Sequence, residues 1–229
     1  MLGLPRLHYR LISSTNERAK ELAQAGAPHG MLVTADEQTA GRGRQGRAWT
    51  VPPRSAVLMS LVLRDFDELL PLAASVAVAE ACEAAGVNCA IKWPNDVWID
   101  GRKVSGILVE GRPQEGWAVL GIGLNVAISF EELPEELREI ATSIEIAAGR
   151  SPSVEGAQET LLDTLDARLG DRPREILAAW ADRDALRDRR IRWQDGEGVA
   201  AGVDDSGALL VDTPGGRTAL EAGEVHLVR

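Results

Sequence analysis

Residues 41–47 read Gly-Arg-Gly-Arg-Gln-Gly-Arg, and Trp49 follows two positions later. Glycine weakens helix and strand interiors and tolerates positive φ angles, so this stretch predicts a loop with an unusual backbone path. Arginine keeps its charge and offers a planar fork of donors that suits carboxylates and phosphates. Such a loop can surround an anionic ligand with guanidinium and backbone N–H groups. A solvated basic loop or a nucleic-acid patch is the alternative explanation of this stretch.

The composition of the whole chain helps to choose between these explanations of the loop. The chain has 229 residues, of which 45% are hydrophobic and 26% are charged, as is usual for a globular protein with a substantial core. The formal net charge of −10 argues against nucleic acid as the main partner, because phosphate binding needs clustered basic residues. The N-terminus has no signal-peptide pattern, and no apolar stretch has membrane-spanning length. We therefore expect a cytoplasmic protein that binds neither DNA nor a membrane.

Cysteine and histidine usage predicts no metal cluster formed by side chains. Cys82 and Cys89 are seven positions apart, which is not the spacing of a zinc site, and one pair does not make a disulfide framework. Core thiols in a reducing compartment are expected instead. His8, His29 and His226 lie far apart along the chain.

The first 130 residues predict a mixture of helices and strands. A helix is expected from Ser14 to about Ala25, because Ser14 and Glu17 have the spacing of a capping box. Ser14 could therefore be a helix cap, a binding residue, or both. A second helix is expected over 68–85. The expected strands cover 31–35, 56–63, 90–93, 97–99, 103–110 and 117–124, with a tight turn at Asp100-Gly101.

The remainder of the chain predicts helices followed by a small β-barrel. The composition becomes helical from residue 131, with helices expected over 143–148, 154–169 and 174–186. Five short strand candidates then alternate with turn residues, at 191–194, 198–203, 208–212, 217–221 and 225–228. This alternation is typical of a small barrel over roughly 190–229.

Five polar segments lie at the ends of these predicted elements. Taken singly, Gln38 could be a turn residue, Asp96 a cap and Lys103 an exposed hairpin lysine. The five segments read Ser14-Thr15-Asn16, then EQTAGRGRQGRAW from Glu37, KWPNDV from Lys92, GRKVSGILVE from Gly101, and GIGLNV from Gly121. In this order they resemble the catalytic domain of the biotin protein ligase family. The resemblance is close over roughly residues 8–130, and the later part agrees in order and length.

The resemblance implies both a fold and a reaction. The fold is α+β: a mixed sheet flanked by helices, similar to class II aminoacyl-tRNA synthetases, over residues 1–186, and an SH3-like β-barrel over 187–229. The reaction converts biotin and ATP to biotinyl-5′-adenylate and pyrophosphate, with Mg²⁺ accompanying ATP. The biotinyl group then passes to one lysine of a biotin carboxyl carrier protein domain of a biotin-dependent carboxylase. A monomer and a weak homodimer both remain open.

The resemblance also assigns residues to the site. The catalytic candidates are Lys103, Arg42, Arg44 and Asp96. The biotin- and adenylate-binding candidates are Ser14, Thr15, Asn16, Gln38, Gly41, Arg42, Gly43, Arg44, Arg47, Trp49, Lys103, Gly106, Gly121, Gly123 and Asn125. Joining a carboxylate to the α-phosphate needs dense positive charge, which the arginines and Lys103 can supply. Asp96 could act on the incoming carrier lysine or hold Lys103 or Arg44 by ion pairing.

Physical chemistry adds two expectations. Glycines inside a strand often mark the close approach of a ligand or another chain segment, so Gly121 and Gly123 are expected to leave room for the bicyclic ring of biotin. The adenylate is labile to water, so the loop at 41–49 is expected to be mobile when empty and to order over the ligand. Its arginines are expected to repel one another until an anion lies between them.

The sequence differs from the family pattern in two features, and two other functions are also considered. Longer family members carry an N-terminal DNA-binding domain, whereas here the Ser14 segment comes early, so a monofunctional ligase without repressor activity is expected. Position 45 is Gln where some members have arginine, which lowers the charge of the loop. A lipoate or octanoate protein ligase is the nearest rival, although such enzymes build this loop differently. A non-catalytic anion-binding module is the rival from another class.

Overall fold

The structure, a computed structural model, describes residues 2–228 and contains two β-sheets. The first sheet has seven strands in the order β1-β2-β3-β7-β6-β5-β4, with β1 parallel to β2 and the other neighbours antiparallel. Its strands are β1 (Arg6–Tyr9), β2 (Leu32–Ala35), β3 (Ala56–Leu63), β4 (Ala90–Lys92), β5 (Asp96–Ile99), β6 (Arg102–Arg112) and β7 (Trp117–Asn125). The predicted mixed sheet is therefore present.

Strand β3 is an interior strand of this sheet, and its sequence is apolar at every position except Ser60. All eight residues are buried, and the strand pairs with β2 on one side and β7 on the other. A polar side chain in so dry a strand needs a hydrogen-bond partner. Ser60 finds two partners in the site described below.

Helices cover both faces of the sheet. On one face, α2 (Leu70–Ala84) packs against α4 (Val154–Arg168) and α5 (Pro173–Ala181). The short helix α3 (Ile144–Ala148) comes just before α4 in the chain. On the other face, α1 (Thr15–Gln24) buries Ala19 and Ala23 in a small apolar cluster with Val33, Val62 and Val119. This packing fixes the N-terminus of α1 close to β3 and β7.

Most predicted elements appear within one or two residues of their expected bounds, and β3 matches the expected 56–63 at both ends. Asp100 and Gly101 both have positive φ, as a tight turn between β5 and β6 requires. Strand β1 was not predicted. The expected helix over 174–186 ends at Ala181, because the chain beyond it pairs with β4: Ala185 N–H donates to the carbonyl of Ile91.

The second sheet holds the five predicted C-terminal strands in the order β11-β10-β9-β8-β12. They are β8 (Arg190–Trp193), β9 (Gly196–Val203), β10 (Leu209–Thr213), β11 (Gly216–Leu220) and β12 (His226–Leu227), and each neighbouring pair is antiparallel. The division of the chain at 186/187 stays a prediction. Among residues 2–228, no helix has the length and apolar character needed to cross a membrane.

Candidate active site

A cavity of about 270 Å³ lies where the N-terminus of α1, the 41–49 loop, β6 and β7 meet. Every site residue predicted above lines this cavity except Gly41. Gly41 lies behind the wall: an added Cβ would overlap the backbone carbonyl oxygen of Trp49, whose N–H in turn donates to the Gly41 carbonyl at 2.9 Å. Gly41 thus shapes the loop rather than the cavity surface.

An apolar wall completes the cavity and was missed by the sequence interpretation. It consists of Ile128, Leu133, Leu137 and Ile140. Between residue 131 and α3, the segment of helical composition forms only a short 3-10 helix, Glu135–Leu137. The chain then pairs with β6, because Lys103 N–H donates to the Ile140 carbonyl at 2.8 Å. Apolar residues at a spacing of three to four could have indicated a buried face, but not which face of the protein it covers.

The N-terminus of α1 forms the polar end of the cavity. Ser14, Thr15 and Asn16 are all at least 95% buried. The Oε1 atom of Gln38 accepts hydrogen bonds from Thr15 N–H at 2.7 Å and from Thr15 Oγ1 at 3.1 Å. The expected capping box does not form, since the Ser14 side chain makes no capping hydrogen bond in α1. Gln38 satisfies a helix-terminal N–H instead, which fixes the loop residue to the helix.

Asn16 is held on two sides. Ser60 Oγ lies 2.5 Å from Asn16 Oδ1 and 2.8 Å from Thr15 Oγ1, and Asn16 Nδ2 donates to Glu110 Oε2 at 2.9 Å. An added Cβ at Gly121 would overlap the Asn16 amide. The open space at Gly121 is therefore filled by the Asn16 side chain. The expectation that this space would accommodate the biotin ring was wrong for Gly121.

Four charged side chains connect Asn16 to the glycine–arginine loop. Glu110 accepts from Lys20 at 3.0 Å, Lys20 also donates to Glu17 at 2.7 Å, and Arg42 donates to Glu17 at 2.6 Å. Burial favours the neutral form of Glu110, but the hydrogen bonds from Asn16 and Lys20 outweigh it and lower the pKa of this carboxyl. Glu110 is therefore ionised at neutral pH.

The loop itself is a short hairpin. Gly43 N–H donates to the Arg47 carbonyl at 2.7 Å, and the turn Arg44–Gly46 has Gln45 in a left-handed conformation with φ of 55°. Arg47 pairs with Glu224 at 2.9 Å. The loop thus contacts the segment between β11 and β12 of the second sheet.

Arg44 is the most enclosed of the loop arginines. Its guanidinium donates at 3.3 Å to both Asn95 Oδ1 and the Gly223 carbonyl. Burial lowers the pKa of Arg44 from its ordinary value, which still leaves it charged at neutral pH. Its contacts are neutral oxygens, so its charge remains available to an anion in the cavity.

Lys103 and Asp96 form a close pair beside Arg44. The Lys103 ammonium lies 2.5 Å from Asp96 Oδ1 and 5.6 Å from the centroid of the Trp49 ring. Strand register explains the approach, since Trp98 pairs with Lys103 and Asp96 with Gly106 on the neighbouring strand. At Gly106, an added Cβ would come within 3.1 Å of the Lys103 Nζ atom. The absent side chain leaves room for the lysine.

Trp49 lies flat against β7. An added Cβ at Gly123 would lie 2.5 Å from Cε2 of its ring. The Trp49 Nε1 atom is buried and has no hydrogen-bond partner among the described residues.

Asn125 ends β7 with one half of its amide satisfied. Its Nδ2 donates to the Thr142 carbonyl at 2.9 Å, whereas Oδ1 is buried without a hydrogen-bond partner in the described part of the chain. No group of three or more His, Cys, Asp or Glu side chains within residues 2–228 is placed to hold a metal ion.

Comparison with known proteins assigns this architecture. A model of the "Biotin/lipoate A/B protein ligase family" matches residues 8–126, and a model of the "Biotin protein ligase C terminal domain" matches residues 189–228. The chain belongs to the biotin protein ligase family. The C-terminal match covers the strands of the second sheet, so both sheets correspond to parts of this family. The resemblance drawn from the sequence motifs is confirmed.

Curated relatives and solved structures agree. The bifunctional ligase/repressor BirA of Bacillus subtilis is 37% identical over 99% of this chain and 75% of its own length. The biotin–[acetyl-CoA-carboxylase] ligase of Mycobacterium tuberculosis is 33% identical over 93% of this chain and 86% of its length. The Aquifex aeolicus biotin protein ligase, solved in complex with biotin and ATP, is 27% identical with a TM-score of 0.85, covering 98% of both chains. The predicted α+β fold is confirmed.

Proposed function

We propose that this protein is a biotin–[acetyl-CoA-carboxylase] ligase: it activates biotin with ATP to biotinyl-5′-adenylate and transfers biotin to a carrier lysine. One observation carries the proposal. A single cavity unites a polar, hydrogen-bonded end at Thr15 and Gln38 with a basic region formed by Arg44 and Lys103. Family membership and the relatives named as biotin ligases support the same reaction. The family model over residues 8–126 includes lipoate ligases as well, and the C-terminal domain match and the named relatives are what favour biotin.

The cavity offers a distinct surface to each part of the reactants. The buried polar groups of Ser14, Thr15 and Gln38 suit the ureido head of biotin, which both donates and accepts hydrogen bonds. Lys103 and Arg44 suit its carboxylate and the α-phosphate of ATP. The apolar wall that includes Leu137 and Ile140 suits a flat purine base. Each reactant would thus be held with its reacting atom in the basic region.

The basic region would promote adenylate formation by electrostatic stabilisation. Attack of the biotin carboxylate oxygen on the α-phosphorus breaks its bond to the pyrophosphate oxygen, and negative charge accumulates around that phosphorus. Lys103 and Arg44 are already in position for this charge, so little reorganisation is needed. Asp96 holds the Lys103 ammonium at 2.5 Å and would act first as its positioning partner.

Magnesium would accompany ATP and reduce the charge of the leaving pyrophosphate. The Asp96 carboxylate lines the cavity and is an oxygen ligand of the kind Mg²⁺ prefers, so it is the described residue that would hold a nucleotide-bound Mg²⁺. The ion completes the electrostatic role of Arg44 and Lys103 when it is bound.

The second half-reaction would use the same site. The neutral amine of a carrier lysine attacks the activated carbonyl, AMP leaves, and the amine proton passes to a nearby base, for which Asp96 is available. We propose a biotin carboxyl carrier domain as the partner. We also propose that the large sheet with its helices is the class II synthetase-like catalytic domain, over 1–186, and that 187–229 is SH3-like.

Incubation with a purified carrier domain, biotin, ATP and Mg²⁺, followed by intact mass, tests the proposal. The carrier should gain the mass of one biotinyl group, and a carrier with its target lysine changed to arginine should gain none. Pyrophosphate release should depend on biotin and not on lipoate or octanoate. Release with lipoate alone would favour the rival ligase, and no release with any of the acids would favour the non-catalytic module.

A further inference from the structure

Lys20 lies outside the cavity, yet it connects two opposite parts of it. Its ammonium lies between two carboxylates, 2.7 Å from Glu17 and 3.0 Å from Glu110. Each carboxylate in turn holds a cavity residue: Glu17 holds Arg42 at 2.6 Å, and Glu110 holds Asn16 at 2.9 Å. A single, partly buried cation on α1 therefore contacts the carboxylates that hold the polar end of the cavity and the glycine–arginine loop.

We propose that Lys20 is a positioning residue for biotin binding, acting on Asn16 through Glu110 and on Arg42 through Glu17. This proposal rests on the proposed function and adds to it a residue that contacts neither substrate. It is carried by geometry: the five side chains form one continuous series of hydrogen bonds from a buried amide to a loop arginine.

The hydrogen bonds of this series position Arg42 and Asn16 without using up the groups that a ligand would need. The Arg42–Glu17 bond uses the Nη1 group of a guanidinium that has five N–H donors. Arg42 can therefore line the cavity and bind an anion while Glu17 holds it. Glu110 uses Oε2 for Asn16 and Oε1 for Lys20, so the two bonds do not exclude each other.

Charge balance explains why Lys20 is needed. Without its ammonium, Glu17 and Glu110 would lose the cation between them and would repel each other. Glu17 would then be free to swing with Arg42, and Glu110 would be free to turn away from Asn16. Ser60 and Glu110 hold the Asn16 amide from both sides, so losing the Glu110 contact removes one of these two restraints. Both ends of the biotin site would thus loosen together.

Three variants on α1 test this arrangement. Lys20→Met keeps the stem of the side chain and removes the charge, and we expect it to raise the KM for biotin about tenfold, the usual effect of losing a hydrogen bond to a charged group. The kcat should stay within about twofold, since the contact acts on binding. Lys20→Arg should restore the wild-type KM. Glu21→Gln breaks the Arg18–Glu21 pair on the same helix, at 2.7 Å, and should change neither constant.

A double variant tests the serial connection. Lys20→Met and Glu17→Gln both release the same Arg42, while Lys20 also acts through Glu110, so the KM effect of Glu17→Gln/Lys20→Met should stay below the product of the two single effects. A KM effect equal to that product would overturn the connection through Glu17. An unchanged biotin KM in Lys20→Met, or a fall in kcat alone, would overturn the positioning role.

Separate measurements check that the variants fold and that the wild-type protein has the proposed ligase activity. Melting temperatures of all variants show whether a loss comes from unfolding, and Lys20→Gln gives a second neutral side chain if the methionine variant does not fold. Biotin affinity by calorimetry must follow the KM, and a KM change without an affinity change would also contradict the proposal. Failure of the wild type to consume biotin would reject the proposed function, whereas normal wild-type turnover with unaffected variants would reject only this inference.

Discussion

Gly123→Ala adds one methyl group where β7 passes against the Trp49 ring. The new Cβ would lie 2.5 Å from Cε2 and 2.7 Å from Nε1 of that ring, whereas carbon atoms pack at about 3.5–4.0 Å. The ring must therefore move by about 1 Å. Strand β7 pairs with β3 and β6 on its two sides, so the ring gives way rather than the strand.

Movement of the ring disturbs the groups that perform the reaction. Trp49 N–H closes the loop on the Gly41 carbonyl at 2.9 Å, and Lys103 lies 5.6 Å from the ring centroid. A displacement of about 1 Å at reacting groups can cost about 10²-fold in rate. Overpacking also costs about 1–3 kcal/mol of stability. We expect Gly123→Ala to slow biotin-dependent pyrophosphate release about 100-fold.

Single-turnover pyrophosphate release measures this rate, and a thermal melt measures the loss of stability. Gly156→Ala in α4 is the matched control, because its Cβ would meet nothing closer than 3.5 Å. Alanine is also the better helix former there, so the control should be as stable as the wild type or more stable. A Gly123→Ala enzyme that releases pyrophosphate within about threefold of the wild-type rate would refute the reasoning, since 100-fold was derived from the overlap.

Four further outcomes follow from the site. Lys103→Ala should slow adenylate formation by about 10²–10³-fold, as for loss of a transition-state donor, and near-normal single-turnover formation would rule out its placement. Arg44→Ala should weaken retention of the adenylate more than binding of biotin, because phosphate is the natural partner of a guanidinium; equal losses for both ligands would assign it to biotin or to loop structure. The pKa of Glu110 is lowered from 4.5, so its stabilising contribution is complete above that pH and is lost as the pH falls through the lowered value. Denaturant titrations should accordingly show the stability difference between wild type and Glu110→Gln shrinking in acid, and a difference that does not vary with pH would contradict this. Hydrogen exchange at residues 41–49 should slow sharply when biotin and ATP are added together, and full protection in the empty enzyme would mean that the loop is preformed.

Elements with a strong local pattern could be predicted from the sequence. Strand β3 is apolar at all but one position, and its bounds were predicted to the residue. Strand β1 was missed because the alternation of more polar (Arg6, His8) and less polar (Leu7, Tyr9) residues covers only four positions. It forms because β2 offers its edge: Leu32 N–H donates to the Pro5 carbonyl at 2.9 Å. A short strand of this kind depends on its neighbour, which the local sequence does not show.

The glycines show the same limit within the site. Their place inside β7 correctly indicated a close approach, but the sequence could not identify the approaching group. Gly121 leaves room for Asn16 and Gly123 for Trp49, residues more than 70 positions away in the chain. The space that was assigned to the biotin ring belongs to the side chains that would bind biotin. Only the packing of α1 and the loop against β7 reveals this.

The expected repulsion between the loop arginines is present, because the pKa of Arg44 is lowered by burial and also by the charge of Arg47. The sequence did not show that each arginine also has a protein acceptor: Arg42 has Glu17, Arg47 has Glu224, and Arg44 has Asn95 and the Gly223 carbonyl.

These contacts leave part of each guanidinium free, since each offers five donors. Ordering the loop costs about 1–2 kcal/mol per residue in backbone entropy, and the protein contacts offset only part of that. An adenylate phosphate would add to them rather than replace them. The protection of the 41–49 amides should therefore increase in steps, from partial in the empty enzyme to greatest with biotin and ATP together. The acidic partners prepare the loop, and the anion completes its closure.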